Sequence, residues 1–277
     1  VLALLLLSCT ADPDSGLDDS ATTVATADSA APTVDTPDSA TPTDSAPPTD
    51  SGDTALPLGS ITGQAFDTQG APLEDLRVTL CRGTCEYDDT AADGTFSIPF
   101  VPPDSYPMSV VDIYGERGLA IPLFLVDVAQ GEHVVLPGDV VVPLLQDPAP
   151  MPTEPGEVEI LPGLFLSFDP DELWLAPWEP ADHLQGAEAP SIPAMVPFEG
   201  ALVTWYLGPF KSQSYADMGL RVENRWGLAP GDTVRAWVCS YSDAEWADGG
   251  LLTVDDQGAW LTGGAIRELT TLVLVRQ

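Results

Sequence analysis

From Thr10 to Pro57 the chain is built almost wholly of Ala, Asp, Pro, Ser and Thr, with no aromatic and no basic side chain. A segment of that kind has too little apolar surface to offset the entropy of ordering it, so it is expected to stay disordered. Repeated proline and like-charge repulsion stiffen it toward extended, polyproline-like conformations. At about 3 Å per residue its full reach approaches ~150 Å, with a shorter average span. The first basic residue is Arg77, and the whole chain carries a formal charge of −34. Such a chain repels nucleic-acid phosphates and anionic lipid head groups, which argues against electrostatic binding of either.

Residues 1–9 read VLALLLLSC. The seven apolar residues that open it make about 10 Å of helix against a bilayer core of about 30 Å, so they do not span a membrane. They read instead as the end of a secretory apolar region followed by a cleavage point. Leu6-Leu7-Ser8-Cys9 resembles the bacterial lipobox. The resemblance implies a diacylglycerol on the sulfur of Cys9, cleavage in front of that cysteine, and a membrane partner reached through the acylated thiol. Thr10 rather than Asp follows it, which by the same resemblance points to the outer membrane. The rival reading is a cysteine buried in a core helix, but the polar sequence after Cys9 offers no core to join. Residues 10–57 then serve as a tether that holds the folded part away from a membrane.

Residues 58–146 read as a β-domain. Ser60–Asp67, Leu76–Leu80, Thr95–Phe100, Tyr106–Ile113, Leu119–Val126 and Val134–Leu145 are short strand-like runs, separated by turns carrying Gly, Pro and Asp. Strands at this spacing argue for a sandwich. The order Gly63, Asp67, Gly70, Pro72-Leu73, then Val78 and Leu80, then Asp93-Gly94 with Phe96, then Pro102-Pro103 with Tyr106, resembles the carboxypeptidase regulatory-like domain. That family implies a transthyretin-like sandwich, without a zinc site, of a kind that occurs in exported proteins. Asp104 departs from the family's usual Gly, and Asp tolerates left-handed backbone well enough to leave the fold intact.

Residues 147–157 form a Pro-rich hinge, and the composition changes after it. All seven tryptophans lie in residues 158–277, among Val-, Thr- and Leu-rich runs that predict a second β-sandwich. Turns are expected at Pro162-Gly163, Pro230-Gly231-Asp232, Asp248-Gly249-Gly250 and Gln257-Gly258, and one short helical turn near Tyr215–Gly219. The fold class is therefore all-β, two sandwiches after a disordered linker, the first of them transthyretin-like.

The sequence singles out no catalytic residue, metal site or cofactor. His133 and His183 stand alone, on opposite sides of the hinge, without zinc-ligand spacing. They are expected to lie apart, with no acid oriented toward either ring. Nucleophile elbows, P-loops and dinucleotide fingerprints are absent. Asp88-Asp89 with Asp93, and Asp169-Pro170-Asp171-Glu172, offer oxygen ligands to calcium but not at EF-hand spacing. Cys81 and Cys85 would lie about 13 Å apart on an extended strand, too far for a disulfide. Gly83 permits the reversal that brings them together, so a bond closing the hairpin tip is expected in an exported protein. Cys239 is expected to be a buried free thiol. The chain thus reads as a non-catalytic envelope lipoprotein displaying β-modules that dock other envelope proteins. The alternative is binding of surface polysaccharide, with Trp174, Trp178, Trp205, Trp226, Trp246 and Trp260 as candidate sugar-stacking rings. A second alternative is a hydrolase using a carboxylate pair that the sequence does not single out.

Overall fold

Alternating apolar and polar residues give the first half strands that bury one face. In β1 (Gly59–Phe66) Ile61 and Ala65 point inward. In β2 (Arg77–Arg82) Val78 and Leu80 do so, while β3 (Thr84–Asp89) stays at the surface. They are followed by β4 (Thr95–Val101), β5 (Asp104–Val111), β6 (Leu123–Val128), β7 (His133–Val135) and β8 (Val140–Val141). One sheet runs β4-β1-β7, with β8 also on β1, and the other runs β3-β2-β5-β6. They close on a core that includes Ile61, Leu80, Phe96, Met108 and Phe124. The Asp93-Gly94 turn forms as its residues predict: Gly94 has φ +78° and Asp93 accepts from the Thr95 amide. A Cβ at Gly94 would sit 2.4 Å from the Ala65 carbonyl oxygen, so glycine is required there. Asp104 does not take up left-handed backbone. Phe100 does, at φ +60°, where it bulges out of edge strand β4 between Pro99 and Val101.

This computed structural model describes residues 57–176 and 182–277. Cys9, nearly all of the linker and Trp178 lie outside them. The second half contributes β9 (Ala149–Pro150), β10 (Gly156–Leu161), β11 (Leu164–Phe168), β12 (Leu173–Trp174), β13 (His183–Glu188) and β14 (Ala201–Gly208). Then come β15 (Ser212–Glu223), β16 (Thr233–Ser240), β17 (Glu245–Val254), β18 (Trp260–Leu269) and β19 (Thr271–Arg276). Hydrogen bonding is continuous in the order β10-β11-β15-β18-β17-β16-β19-β14-β13-β9, with β12 on β15. The sheet curls over its own core, bringing β10 against β13: an added Cβ on Gly186 would lie 3.3 Å from the Leu161 side chain. Among the described residues the fold is all-β, as the strand and turn pattern predicted.

Local expectations fail at three places. Tyr215–Gly219 is not a helical turn but the interior of β15, where Met218 pairs with Ile266. The described helical element is a 3-10 turn at Pro170–Glu172, capped by Asp169. Asp248-Gly249-Gly250 continues β17 rather than turning. The Pro-rich stretch is also tied down: Gln146 N–H donates to the Gly186 carbonyl, Met151 N–H to that of Asp182, and β9 pairs with β13. The described residues, 57–176 and 182–277, belong to one compact unit. The first core reaches into the second half through Tyr206, Val273 and Val275. A smaller cluster joins Leu123 of β6 to Phe210 and Cys239.

Candidate functional site

The described tryptophans do not assemble into one exposed face. Trp205 is only 3% exposed within the second core, its indole N–H donating to Glu188 at 3.2 Å. Trp226 is half-buried against the same core, with the Arg225 guanidinium 5.1 Å from its ring. Trp246 meets Phe198 edge-on at 5.2 Å, and Phe198 stacks on Trp237 at 4.9 Å, where the first core meets the second half. Trp260 is half-buried beside Phe165, and Arg221 lies 4.2 Å from its ring while pairing with Glu157. Trp174, on β12, is 41% exposed and stands apart from these. The indoles mostly pack, as large apolar rings do.

Cys81 and Cys85 form the expected disulfide across the β2–β3 hairpin, with Gly83 at φ +78° between them. Cys239 is a buried free thiol whose pKa is raised by burial and by the charge of Glu268. His133 on β7 bonds through Nδ1 to Ser60 Oγ at 2.8 Å. His183 on β13 departs from expectation, because Asp182 Oδ1 lies 2.7 Å from its Nδ1. Asp182 is the preceding residue and its side chain is 87% exposed, so the pair is a solvent-screened surface contact. The acidic loops use several of their oxygens locally: Asp88 accepts from the Ser97 amide, Asp89 pairs with Arg77, and Asp169 caps the 3-10 turn. Among the described residues no group of three or more His, Cys, Asp or Glu side chains is placed to hold a metal ion.

A site the sequence did not single out lies on the first sandwich, between the turn at residues 72–75 and the loop at residues 112–118. It is an open cleft of about 340 Å³ with Tyr114 in its wall, 72% exposed. Arg117 locks the two segments together. Its Nε and Nη2 donate to the Asp112 carboxylate at 3.2 and 3.3 Å, its Nη1 to the Glu74 carbonyl at 2.8 Å, and Nη2 also to the Asp75 carbonyl at 3.2 Å. Burial opposes the charge of Asp112, but the hydrogen bonds and positive charge of Arg117 outweigh it and hold that carboxyl below the usual range. From beneath, the buried Thr90 hydroxyl donates to the Leu73 carbonyl at 2.6 Å and accepts the Leu76 amide at 2.9 Å. Asp75 is held at φ +59° between these restraints. The cleft is therefore held by fixed backbone, with Glu74, Asp75 and Glu116 among the residues that line it. The one sequence hint was the polar, glycine-bearing run Asp112–Gly118 with a tyrosine inside it.

No family model matches this chain, and no curated protein matches it. Solved structures with detectable similarity include a candidate carbohydrate-binding protein of Bacteroides uniformis, with 11% identity, TM-score 0.24, and coverage of 79% of this chain and 80% of that one. A DUF3823 family protein from Bacteroides ovatus shows 9% identity and TM-score 0.24 over 77% of this chain and 100% of its own. The Bacillus anthracis TIE protein shows 9% identity and TM-score 0.28 over 80% of this chain, which spans 48% of that protein's length.

Proposed function

We propose that this chain is a non-catalytic, lipid-anchored envelope protein that presents a binding domain at the end of a long acidic tether. The observation that carries the binding role is the Arg117 clamp, which fixes a cleft lined by a tyrosine and several acidic residues. Such a preformed site suits holding a ligand, because little ordering entropy is lost on binding. The tether rests on Leu6-Leu7-Ser8-Cys9 and the acidic run after it, and the outer membrane is its destination by the Thr10 rule. The first sandwich is assigned to the carboxypeptidase regulatory-like group on its motif order, from the Asp67–Leu73 turn through Asp93-Gly94 to Tyr106. Expression of the full chain with labelled palmitate tests the anchor. Label and detergent partitioning should both be present, and both should vanish in Cys9→Ser. Unchanged membrane association in that variant would sink the tether. A second reading, binding of surface polysaccharide, is favoured by Tyr114 in the cleft wall rather than by the tryptophans.

A further inference from the structure

We infer that the cleft beside Tyr114 binds a neutral sugar ring. The inference rests on the binding reading above and gives it a ligand class. A sugar ring presents an apolar C–H face, which an aromatic ring accepts by stacking, and a rim of hydroxyls that both donate and accept. Tyr114 supplies the ring, and the neighbouring Gly115 and Gly118 leave open space around its loop. Glu74, Asp75 and Glu116 supply acceptors. The described hydrogen bonds occupy four of the five N–H groups of Arg117, leaving one on Nη1 as a donor on a residue that lines the same cleft as Tyr114. A volume of about 340 Å³ is at the small end of ligand sites, enough for a single ring and its substituents.

Charge selects among sugars. Seven of the eight arginines are already paired with carboxylates of the fold, within a chain of net charge −34. Uronic acids and sulfated or phosphorylated sugars would meet a repulsive field. An ammonium ligand would satisfy the carboxylates but oppose the Arg117 guanidinium, whereas a neutral polyol uses donors and acceptors together.

The test is native gel electrophoresis of the full chain through gels cast with galactomannan, xyloglucan, soluble starch or dextran, and with polygalacturonate as the acidic counterpart. At least one neutral polysaccharide should retard the protein. Tyr114→Ala should weaken that retardation about tenfold, the loss expected of one stacked ring. Tyr114→Phe should keep it, and Trp174→Ala and Tyr215→Ala should leave it unchanged. Circular dichroism of each variant controls for folding, which an exposed position should not disturb. The inference fails if no neutral polysaccharide retards the protein, if Tyr114→Ala is retarded like the parent, or if polygalacturonate retards it equally. It fails too if oligolysine binds through Tyr114 and no sugar does, which would make the cleft a reader of basic protein segments. Palmitate labelling is scored separately, so an anchored chain that binds no sugar overturns this inference alone. A sugar-binding chain without an anchor overturns the tether alone.

Discussion

The backbone N–H of Leu123 donates to the Oγ1 of Thr271 across 2.9 Å, and both residues are fully buried. This bond joins β6 of the first sandwich to β19 of the large sheet of the second half, at the cluster of Leu123, Phe210 and Cys239. Thr271→Val keeps the shape but leaves the amide without its partner, so it should cost about 1–3 kcal/mol. Thr271→Ser should retain most of the stability. Urea unfolding measures both, and equal midpoints for Val and the parent would show that the bond does not couple the two halves.

Phe100 combines left-handed backbone, 71% exposure and a bulge position, so it carries strain that its side-chain packing does little to offset. Phe100→Gly should stabilise the fold by up to about 1 kcal/mol, since relief of the strain exceeds the added unfolded-state entropy. A lower unfolding midpoint for the glycine variant would mean that the exposed ring makes contacts that matter.

The Asp112–Arg117 pair should give an acid-dependent contribution. The folded carboxyl sits below its unfolded value, so the unfolded chain takes up the proton first. Its stabilisation is present above the unfolded value near ~4 and is lost as pH falls through the folded one. Asp112→Asn should therefore be less stable than the parent at neutral pH, with a gap that narrows as pH drops below about 4. A gap independent of pH would show that the ion pair does not hold the cleft.

The cysteines should separate by chemistry. Replacing Cys81 and Cys85 together by Ser should cost about 2 kcal/mol, the value for closing so short a loop. Cys239 should resist alkylation in the native state, because burial raises its thiol pKa, and should react once the chain unfolds. Rapid native labelling at Cys239 would contradict its placement.

Replacing His133 and His183 together should leave the folded state intact, because among the described residues the two rings bond surface groups, those of Ser60 and Asp182. The full chain should show no peptidase activity with or without zinc. Zinc-dependent cleavage lost on mutating either histidine would overturn the non-catalytic reading.

Much of the first sandwich was legible in the sequence because period-two burial needs only one strand's own residues. Ile61 and Ala65, or Val78 and Leu80, announce their inward face without reference to a partner. Gly83 and Asp93-Gly94 likewise fix their turns by local backbone freedom, and with Gly83 the Cys81–Cys85 bond. Gly249-Gly250 misled for the same reason. A glycine pair permits positive φ in a turn and in a bent strand alike, and only the neighbouring strand decides. Here Gly263-Gly264 of β18 lies so close that a Cβ on Gly264 would meet the Gly249 carbonyl oxygen at 2.8 Å.

Sequence alone also established the acidic, aromatic-free composition of residues 10–57 and the lipobox-like start, both properties of residues in a row. Tertiary structure decided which aromatic rings face water. Trp205 and Trp174 are the same residue type, yet the first is sealed in a core and the second stands on a short outlying strand. It also decided the cleft, because the Glu74 and Asp75 carbonyls meet Arg117 from some forty residues away in the chain. No local spacing encodes a contact of that kind. It exists only once β2 and β5 have paired and carried their flanking loops together.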